Sequence, residues 1–167
     1  MLPIMLSETT RVGLSGEGDA LGRRAALLVE AGLRAELLPS DADDSTLTGL
    51  RLLFVAGLDT DRAFSLASRA RAVGVLVNVE DEPQLCDFHV PAIVRRGDLV
   101  LTVSTGGYAP GLARRLREWL EQQLGQEWQG RLKAVSEARS SWRADGVPPA
   151  EVSRRTSALI DERGWLP

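Results

Sequence analysis

The residues best suited to chemistry lie in the middle of the chain. A carboxylate, Asp81, follows a short apolar run that predicts a β-strand, and two arginines, Arg95 and Arg96, join two later β-rich runs. Open α/β sheets place ligands beyond the carboxyl ends of their strands, where a carboxylate can accept a proton. Arginines bind carboxylates in a bidentate geometry. These residue types predict a catalytic acid or base, Asp81, beside an anion-binding surface.

Further along, the second β-rich run ends in a glycine turn that leads into a helix opened by Pro110. Backbone amides near a helix start can contact an anion, and Arg114 in the following helix adds a positive charge. The substrate-binding candidates are therefore Asn78, Arg95, Arg96, Ser104, Thr105, Gly106, Gly107 and Arg114. Structural alternatives stay open: Asp81 as a turn or helix-capping aspartate, the arginines as solvated side chains, and Ser104–Gly107 as a tight strand-to-helix turn. Asn78 either orients Asp81 or caps its turn.

A second glycine turn, Gly16-Glu17-Gly18, lies between a predicted strand and a predicted helix near the start of the chain. This context is typical of dinucleotide binding, in which glycines let the backbone approach a pyrophosphate at a helix start. A ribose-binding acid is expected about twenty residues on. Glu36 has that spacing but lies inside a strand, whereas Asp41 lies just past its end. The alternative is a turn that needs glycine for its geometry alone.

The elements that must position these residues alternate between strand and helix in the first half of the chain. Apolar patterning predicts an α/β, Rossmann-like, mainly parallel sheet. Strands are expected at 11–15, 35–38, 52–56 and 75–77, helices at 20–31 and 61–73, and an acidic loop at 39–48. An antiparallel pair at 89–94 and 99–104 and helices from Pro110, Gly130 and Pro148 follow. We expect a cofactor-binding and dimerisation region, residues 1–106, and a helical region, residues 107–167.

Composition narrows the possible classes of protein. The net charge of −3 gives no reason to expect nucleic acid as a partner. No apolar run approaches the roughly 20 residues of a membrane-spanning helix, so no membrane is expected. The single cysteine, Cys86, fits a reducing compartment, and we expect the cytoplasm. No Cys/His cluster has metal-ligand spacing, so no bound structural metal is expected.

Several segments together carry a resemblance to a known family. They are the Leu2–Leu6 start, Gly16 and Gly18 with Arg23-Arg24, Val77-Asn78-Val79 with Asp81, Leu85–Phe88, Pro91–Asp98, Ser104–Gly107 with Pro110, and Leu112–Arg117. In these the chain resembles the precorrin-2 dehydrogenases, the N-terminal domains of siroheme synthases, some of which are also sirohydrochlorin ferrochelatases. The resemblance covers residues 1–38 weakly and 50–130 well.

The resemblance implies NAD-dependent oxidation of precorrin-2 to sirohydrochlorin, in siroheme or cobalamin biosynthesis, by a homodimer with a helical tail. It implies that Asp81 is the acid or base and that the segment carrying Ala56 and Asp59 lies near the cofactor. The region between Leu38 and Leu52 is shorter than in the family, which predicts a sheet one strand short. Two alternatives stay open: a sirohydrochlorin ferrochelatase, with Fe²⁺ as substrate and a decayed NAD site, or a non-catalytic tetrapyrrole-binding or assembly subunit.

Overall fold

The computed structural model describes residues 4 and 6–166, which divide into two compact units that meet in sequence at Val90 and Pro91. The first unit alternates strand and helix. Its elements are β1 (Val12–Gly16), α1 (Gly18–Glu30), β2 (Ala35–Leu38), α2 (Asp44–Leu47), β3 (Leu52–Ala56), α3 (Thr60–Ala72), β4 (Leu76–Val79) and a 3₁₀ turn (Pro83–Leu85). The four strands form a parallel sheet in the order β2-β1-β3-β4.

The sheet is buried on both faces, which explains the continuous apolar runs of its central strands. On β3 alternate residues point to opposite faces, so Leu53 and Val55 join one core, whereas Leu52 and Phe54 join another. The first core contains Leu66, Ala67 and Ala70 of α3, and the second contains Leu28 of α1. The sheet is thus held rigidly between helices, and the edge formed by the carboxyl ends of its strands has a fixed geometry.

The second unit is an antiparallel hairpin followed by three helices. The hairpin pairs β5 (Ala92–Arg96) with β6 (Leu99–Val103) across a turn in which Gly97 has a φ of +60°. The helices are α4 (Pro110–Gln123), α5 (Glu127–Ala144) and α6 (Pro149–Glu162). Pro110 and Pro149 each lie in a first helical turn, where the missing amide proton costs nothing.

The sequence predicts the fold class correctly, with several local differences. The acidic loop at 39–48 contains the short helix α2, whose N-cap Asp43 accepts a hydrogen bond from the Thr46 amide at 2.8 Å. Strand β5 begins at Ala92, so His89 and Pro91 precede it. Helix α5 begins at Glu127, three residues before the expected Gly130.

The compact units divide at Val90–Pro91, earlier than the regional boundary expected at 106/107. The hairpin packs on α4 within the second unit, which is why it groups with the helices. The assignment of residues 1–106 to cofactor binding and dimerisation and of 107–167 to a helical region stays a prediction about function.

Candidate cofactor and catalytic site

The first glycine turn is packed on one side and open on the other. Gly16 ends β1 beside Ala56 of β3, and the Glu17 amide donates to the Ala56 carbonyl at 3.0 Å. A Cβ added to Gly16 would overlap that carbonyl oxygen. A Cβ added to Gly18, where φ is +61°, would have no atom within 4 Å. Glycine is therefore required at Gly16 for close backbone packing, and the space beside Gly18 is free for a ligand.

Helix α1 begins without a side-chain cap. Its N-cap, Glu17, makes no capping hydrogen bond, whereas Asp43 and Asp59 cap α2 and α3. The first amides of a helix need acceptors, and the helix dipole favours a negative charge there. A pyrophosphate supplies both, so the turn and the 13-residue α1 fit the phosphates of a dinucleotide.

Glu17, the acidic residue in this turn, forms an ion pair within the protein. The guanidinium of Arg62 donates to Glu17 Oε1 at 2.5 Å. This hydrogen bond is the main cause that lowers the pKa of Glu17 below its usual value. The same Arg62 nitrogen donates to Ser40 Oγ at 2.5 Å, just past β2. The negative charge of Glu17 is thus balanced by a side chain from α3.

The sheet brings the predicted cofactor residues to one edge. Gly16 of β1 pairs in register with Ala56 of β3, and Gly18, two residues after Gly16, begins α1. Asp59 caps α3 by accepting from the Arg62 amide at 2.9 Å. Asp41 lies exposed in the turn after β2.

Glu36 lies within β2, and its carboxylate pairs with Arg11 at 3.0 Å. Two residues of this edge were missed from sequence, Ser40 and Arg62. The usable signal was Asp59-Thr60-Asp61-Arg62, which is an N-cap followed by a cation in the first turn after a buried strand.

The candidate catalytic residue, Asp81, lies two residues past β4 on the same edge. One strand separates β1 from β4, so their ends are roughly 10 Å apart. Asp81 has a φ of +62°. Among the described residues, 4 and 6–166, it is the one non-glycine residue with a positive φ. Left-handed backbone in a non-glycine residue is uncommon and clusters at functional sites.

The two glutamates beside Asp81 are engaged elsewhere. Glu80 lies 3.7 Å from both Arg23 and Arg24 of α1, and Glu82 accepts from Thr60 Oγ1 at 2.9 Å. No side chain in the described part of the chain forms a hydrogen bond or ion pair with the carboxylate of Asp81. It is therefore the acid of this turn that is available for a reaction.

Hydrogen bonds made by Cys86 and Asn78 hold the turn that carries Asp81. The Cys86 thiol accepts from the Val79 amide at 3.3 Å and donates to the Val79 carbonyl at 3.2 Å. Burial is the main cause that raises the pKa of this thiol, so it stays protonated as a donor. Asn78 is buried and donates from Nδ2 to the Phe88 carbonyl at 2.9 Å. Asn78 thus ties the segment after the turn to β4.

Seven of the substrate-binding candidates belong to the second unit, and their roles differ. Arg96 donates to the carbonyls of Leu124 and Glu121, at 2.6 and 3.0 Å, and so caps the end of α4. Arg95 is exposed. Arg114 donates to Glu118 at 2.9 Å and its side chain is 76% exposed.

The second glycine turn is bonded within itself. Ser104 Oγ accepts from the Gly106 amide at 3.2 Å, and Thr105 Oγ1 accepts from the Ala109 amide at 3.2 Å, next to the start of α4. Gly106 and Gly107 both have positive φ. The glycines are therefore needed for the turn itself, whether or not the turn also contacts a substrate.

A comparison with known protein families matches the part of the chain that contains the Gly16–Gly18 turn. A family model described as "Putative NAD(P)-binding" matches residues 4–92, which is more than half of the chain and nearly coincides with the first unit. The chain belongs to this NAD(P)-binding family. The expected nicotinamide dinucleotide cofactor is thereby confirmed, and the observed glycine turn and uncapped α1 fit it.

Relatives carry the name siroheme synthase. The one from Pseudomonas aeruginosa (strain PAO1) is 37% identical over 141 residues, which is 72% of this chain and 30% of the relative. The one from Pseudomonas putida (strain F1) is 43% identical over 103 residues, which is 62% of this chain and 22% of the relative. The chain thus spans less than a third of the length of these relatives.

A solved structure, "SirC, precorrin-2 dehydrogenase", confirms the fold. Its TM-score is 0.75 at 19% identity, and the match covers 98% of this chain and 91% of that chain. None of the helices within residues 4 and 6–166 has the combined length and hydropathy of a membrane-spanning helix. Within the same residues no three His, Cys, Asp or Glu side chains are grouped as metal ligands would be.

Proposed function

We propose that this protein is an NAD-dependent precorrin-2 dehydrogenase that forms sirohydrochlorin. The observation that carries the proposal is the shared edge of the sheet. An uncapped glycine turn suited to a dinucleotide and an unpaired carboxylate, Asp81, follow strands β1 and β4 of one rigid sheet. The family of the chain and the names of its relatives and structural neighbour support the same activity.

The reaction removes two hydrogens from precorrin-2, one as a hydride and one as a proton. The turn of Gly16 and Gly18 and the start of α1 would hold NAD⁺, which would supply the hydride acceptor for this step. In this proposal Asp81 takes the proton that departs from the macrocycle carbon skeleton, as a general base. Its exposure lets the proton pass on to solvent, and the hydrogen bonds of Cys86 and Asn78 hold its turn.

The substrate carries many carboxylates, so arginines are suited to bind it. Arg95 and Arg114 are proposed to contact these carboxylates because both are exposed. The backbone amides of Ser104, Thr105, Gly106 and Gly107 are proposed as a further contact. Arg96 and Asn78 are proposed to act by position, since their side chains are bonded to backbone carbonyls.

A second copy of the chain is proposed as a partner, as the resemblance implies. Helix α4 exposes Leu112, Leu116 and Trp119 at spacings of three and four, with Tyr108 just before it. Contiguous exposed apolar side chains of this kind mark interfaces. The free thiol of Cys86 supports the cytoplasm as the proposed location.

The experiment is a turnover assay with precorrin-2 and NAD⁺ on the wild type, Asp81→Asn and a control, Asp145→Asn. Asp145 is exposed at the end of α5, far in sequence from any candidate. We expect Asp81→Asn to lower kcat about 10²- to 10⁴-fold with little change in NAD⁺ affinity. Unchanged turnover in Asp81→Asn would remove this residue from the mechanism.

Sirohydrochlorin ferrochelatase is the second candidate function. The unpaired carboxylate of Asp81 favours it, because removal of pyrrole protons before Fe²⁺ enters needs the same kind of base. Calorimetric titration of NAD⁺ separates the two activities. Metal insertion without NAD⁺ binding would favour the chelatase, and tetrapyrrole binding without either turnover would favour an assembly subunit.

A further inference from the structure

Arg62 connects three separate segments of the cofactor edge. Its side chain donates to Glu17 in the turn after β1 and to Ser40 after β2, each at 2.5 Å. It also lies 3.8 Å from Asp59, the N-cap of its own helix α3. Because β2, β1 and β3 are parallel neighbours, their carboxyl ends meet at the sheet edge where Arg62 lies. The guanidinium therefore spans the ends of three strands.

The end of β2 is where this class of fold distinguishes the two nicotinamide dinucleotides. An acid there binds the 2′-hydroxyl of the adenine ribose, whereas a nearby arginine accommodates the 2′-phosphate of NADP⁺. This chain has both kinds of group, with Asp41 exposed after β2 and Arg62 bonded to Ser40. An arginine beside a serine hydroxyl is suited to a phosphate. What decides between the two dinucleotides is whether Arg62 is available.

The charges around Arg62 make it unavailable. Glu17, Asp41 and Asp59 carry three negative charges against the single positive charge of Arg62, a net of −2. The hydrogen bond that Arg62 donates to Glu17 is the main cause that raises the pKa of Arg62, and the charges of Glu17, Asp59 and Asp41 add to it. A 2′-phosphate would enter this negative surface and compete with Glu17 for the guanidinium, whereas a neutral 2′-hydroxyl can donate to Asp41.

We infer that Glu17 makes this protein selective for NAD⁺ by holding Arg62 away from the 2′-phosphate of NADP⁺. The inference rests on the proposed cofactor site and adds to it the residues that choose the dinucleotide. Arg62 is a specificity-determining residue, and Glu17 acts on the dinucleotide through it.

The Glu17–Arg62 pair can be changed without loss of the fold. Their side chains are 56% and 42% exposed, and exposed pairs contribute little to stability. Glu17 makes no capping hydrogen bond, so its replacement leaves the start of α1 unaltered. Glu36 and Arg11 form a matched pair of similar exposure, with the carboxylate on β2 and the arginine just before β1.

The test is calorimetric titration of the full chain with NAD⁺ and with NADP⁺. The variants are Glu17→Gln, Arg62→Gln, the double variant and the control Glu36→Gln. We expect the wild type to bind NAD⁺ at least about tenfold more tightly, and Glu17→Gln to gain about tenfold in NADP⁺ affinity. NAD⁺ affinity should change less than about threefold. The gain should vanish in the double variant, and Glu36→Gln should match the wild type.

Three results would overturn the inference. A wild type that prefers NADP⁺, an unchanged ratio in Glu17→Gln, or a gain that persists in the double variant would each refute the role of Glu17 and Arg62. In all three the chain still binds a dinucleotide, so the proposed cofactor site survives. Failure of the wild type to bind either dinucleotide would refute the site and the inference together.

Discussion

The two units of this protein bury their apolar side chains to different extents. The sheet unit holds most of the buried hydrophobic residues that the structure describes, on both faces of its sheet. Within the described part of the second unit, the buried hydrophobic residues are Val94, Ala113 and Val152. Helix α4 there leaves Leu112 and Trp119 each 55% exposed.

Because of this difference in burial, the two units are held rigid in different ways. A sheet packed on both faces fixes the ends of its strands, so the glycine turn, Arg62 and Asp81 are positioned by the unit itself. The second unit depends more on polar caps, such as Arg96 on the end of α4, and leaves apolar side chains of that helix exposed.

The largest effect is expected at the first glycine turn. A Cβ in Gly16→Ala would overlap the Ala56 carbonyl, which is backbone and cannot move aside cheaply. We expect a loss of about 4 kcal/mol in the free energy of unfolding, with loss of NAD⁺ binding. Urea unfolding and calorimetry measure the two effects. Gly22→Ala, inside α1 with open space around its Cβ, should instead stabilise by about 0.5–1 kcal/mol.

A core substitution in each unit tests the comparison directly. Leu53→Ala removes a fully buried side chain from β3 and should cost about 3 kcal/mol in the free energy of unfolding. Leu116→Ala removes a side chain of α4 that is 40% exposed and should cost less than about 1 kcal/mol in the monomer. Equal losses in urea unfolding would show that the two units are packed alike.

The polar cap of α4 gives a smaller effect. Arg96→Ala leaves the carbonyls of Leu124 and Glu121 without their charged donor and should destabilise by about 1.5–2 kcal/mol. Its exposed neighbour gives the control, because Arg95→Ala should change stability by no more than about 0.5 kcal/mol. A larger rise in KM for precorrin-2 in Arg95→Ala than in Arg96→Ala would support the proposed division of roles.

The smallest effect is the pH dependence of stability in the second unit. Hydrogen bonds from Arg154, then Arg155, lower the pKa of Glu151 to about 2 in the fold, from 4.5. A depressed pKa contributes stability that is present above pH 4.5 and is lost as the pH falls through about 2. The urea midpoint should therefore decrease over this range, and less so in Glu151→Gln. An identical pH profile in that variant would contradict the assignment.

The fold could be predicted from the sequence because the patterns that indicate strands, turns and helices are local. Apolar runs at 52–56 and 75–77, the glycines at 16 and 18, and Pro110 each act within a few neighbouring residues. Sequence alone does not show contacts that depend on strand order. Arg62 meets Glu17 and Ser40 only because β1 lies between β2 and β3. Arg96 was predicted to bind substrate, and its hydrogen bonds to carbonyls 25 and 28 residues away at the end of α4 could not be seen in the sequence.

The short helix α2 was missed for a different reason. Four residues are too few for an apolar period, and its capping residue, Asp43, lies in a run of acids that is typical of a loop. Asp81 was chosen for its place after a strand, but its left-handed backbone and the pairing of both flanking glutamates required the structure.

The most direct test of the account is the stoichiometry of a single turnover. Excess protein is mixed with precorrin-2 and NAD⁺ without oxygen, and both NADH and sirohydrochlorin are measured over time. If NAD⁺ is the hydride acceptor, NADH and sirohydrochlorin should appear at the same rate and in equal amounts. Sirohydrochlorin formed without NADH, or no sirohydrochlorin from a chain that binds both ligands, would contradict it.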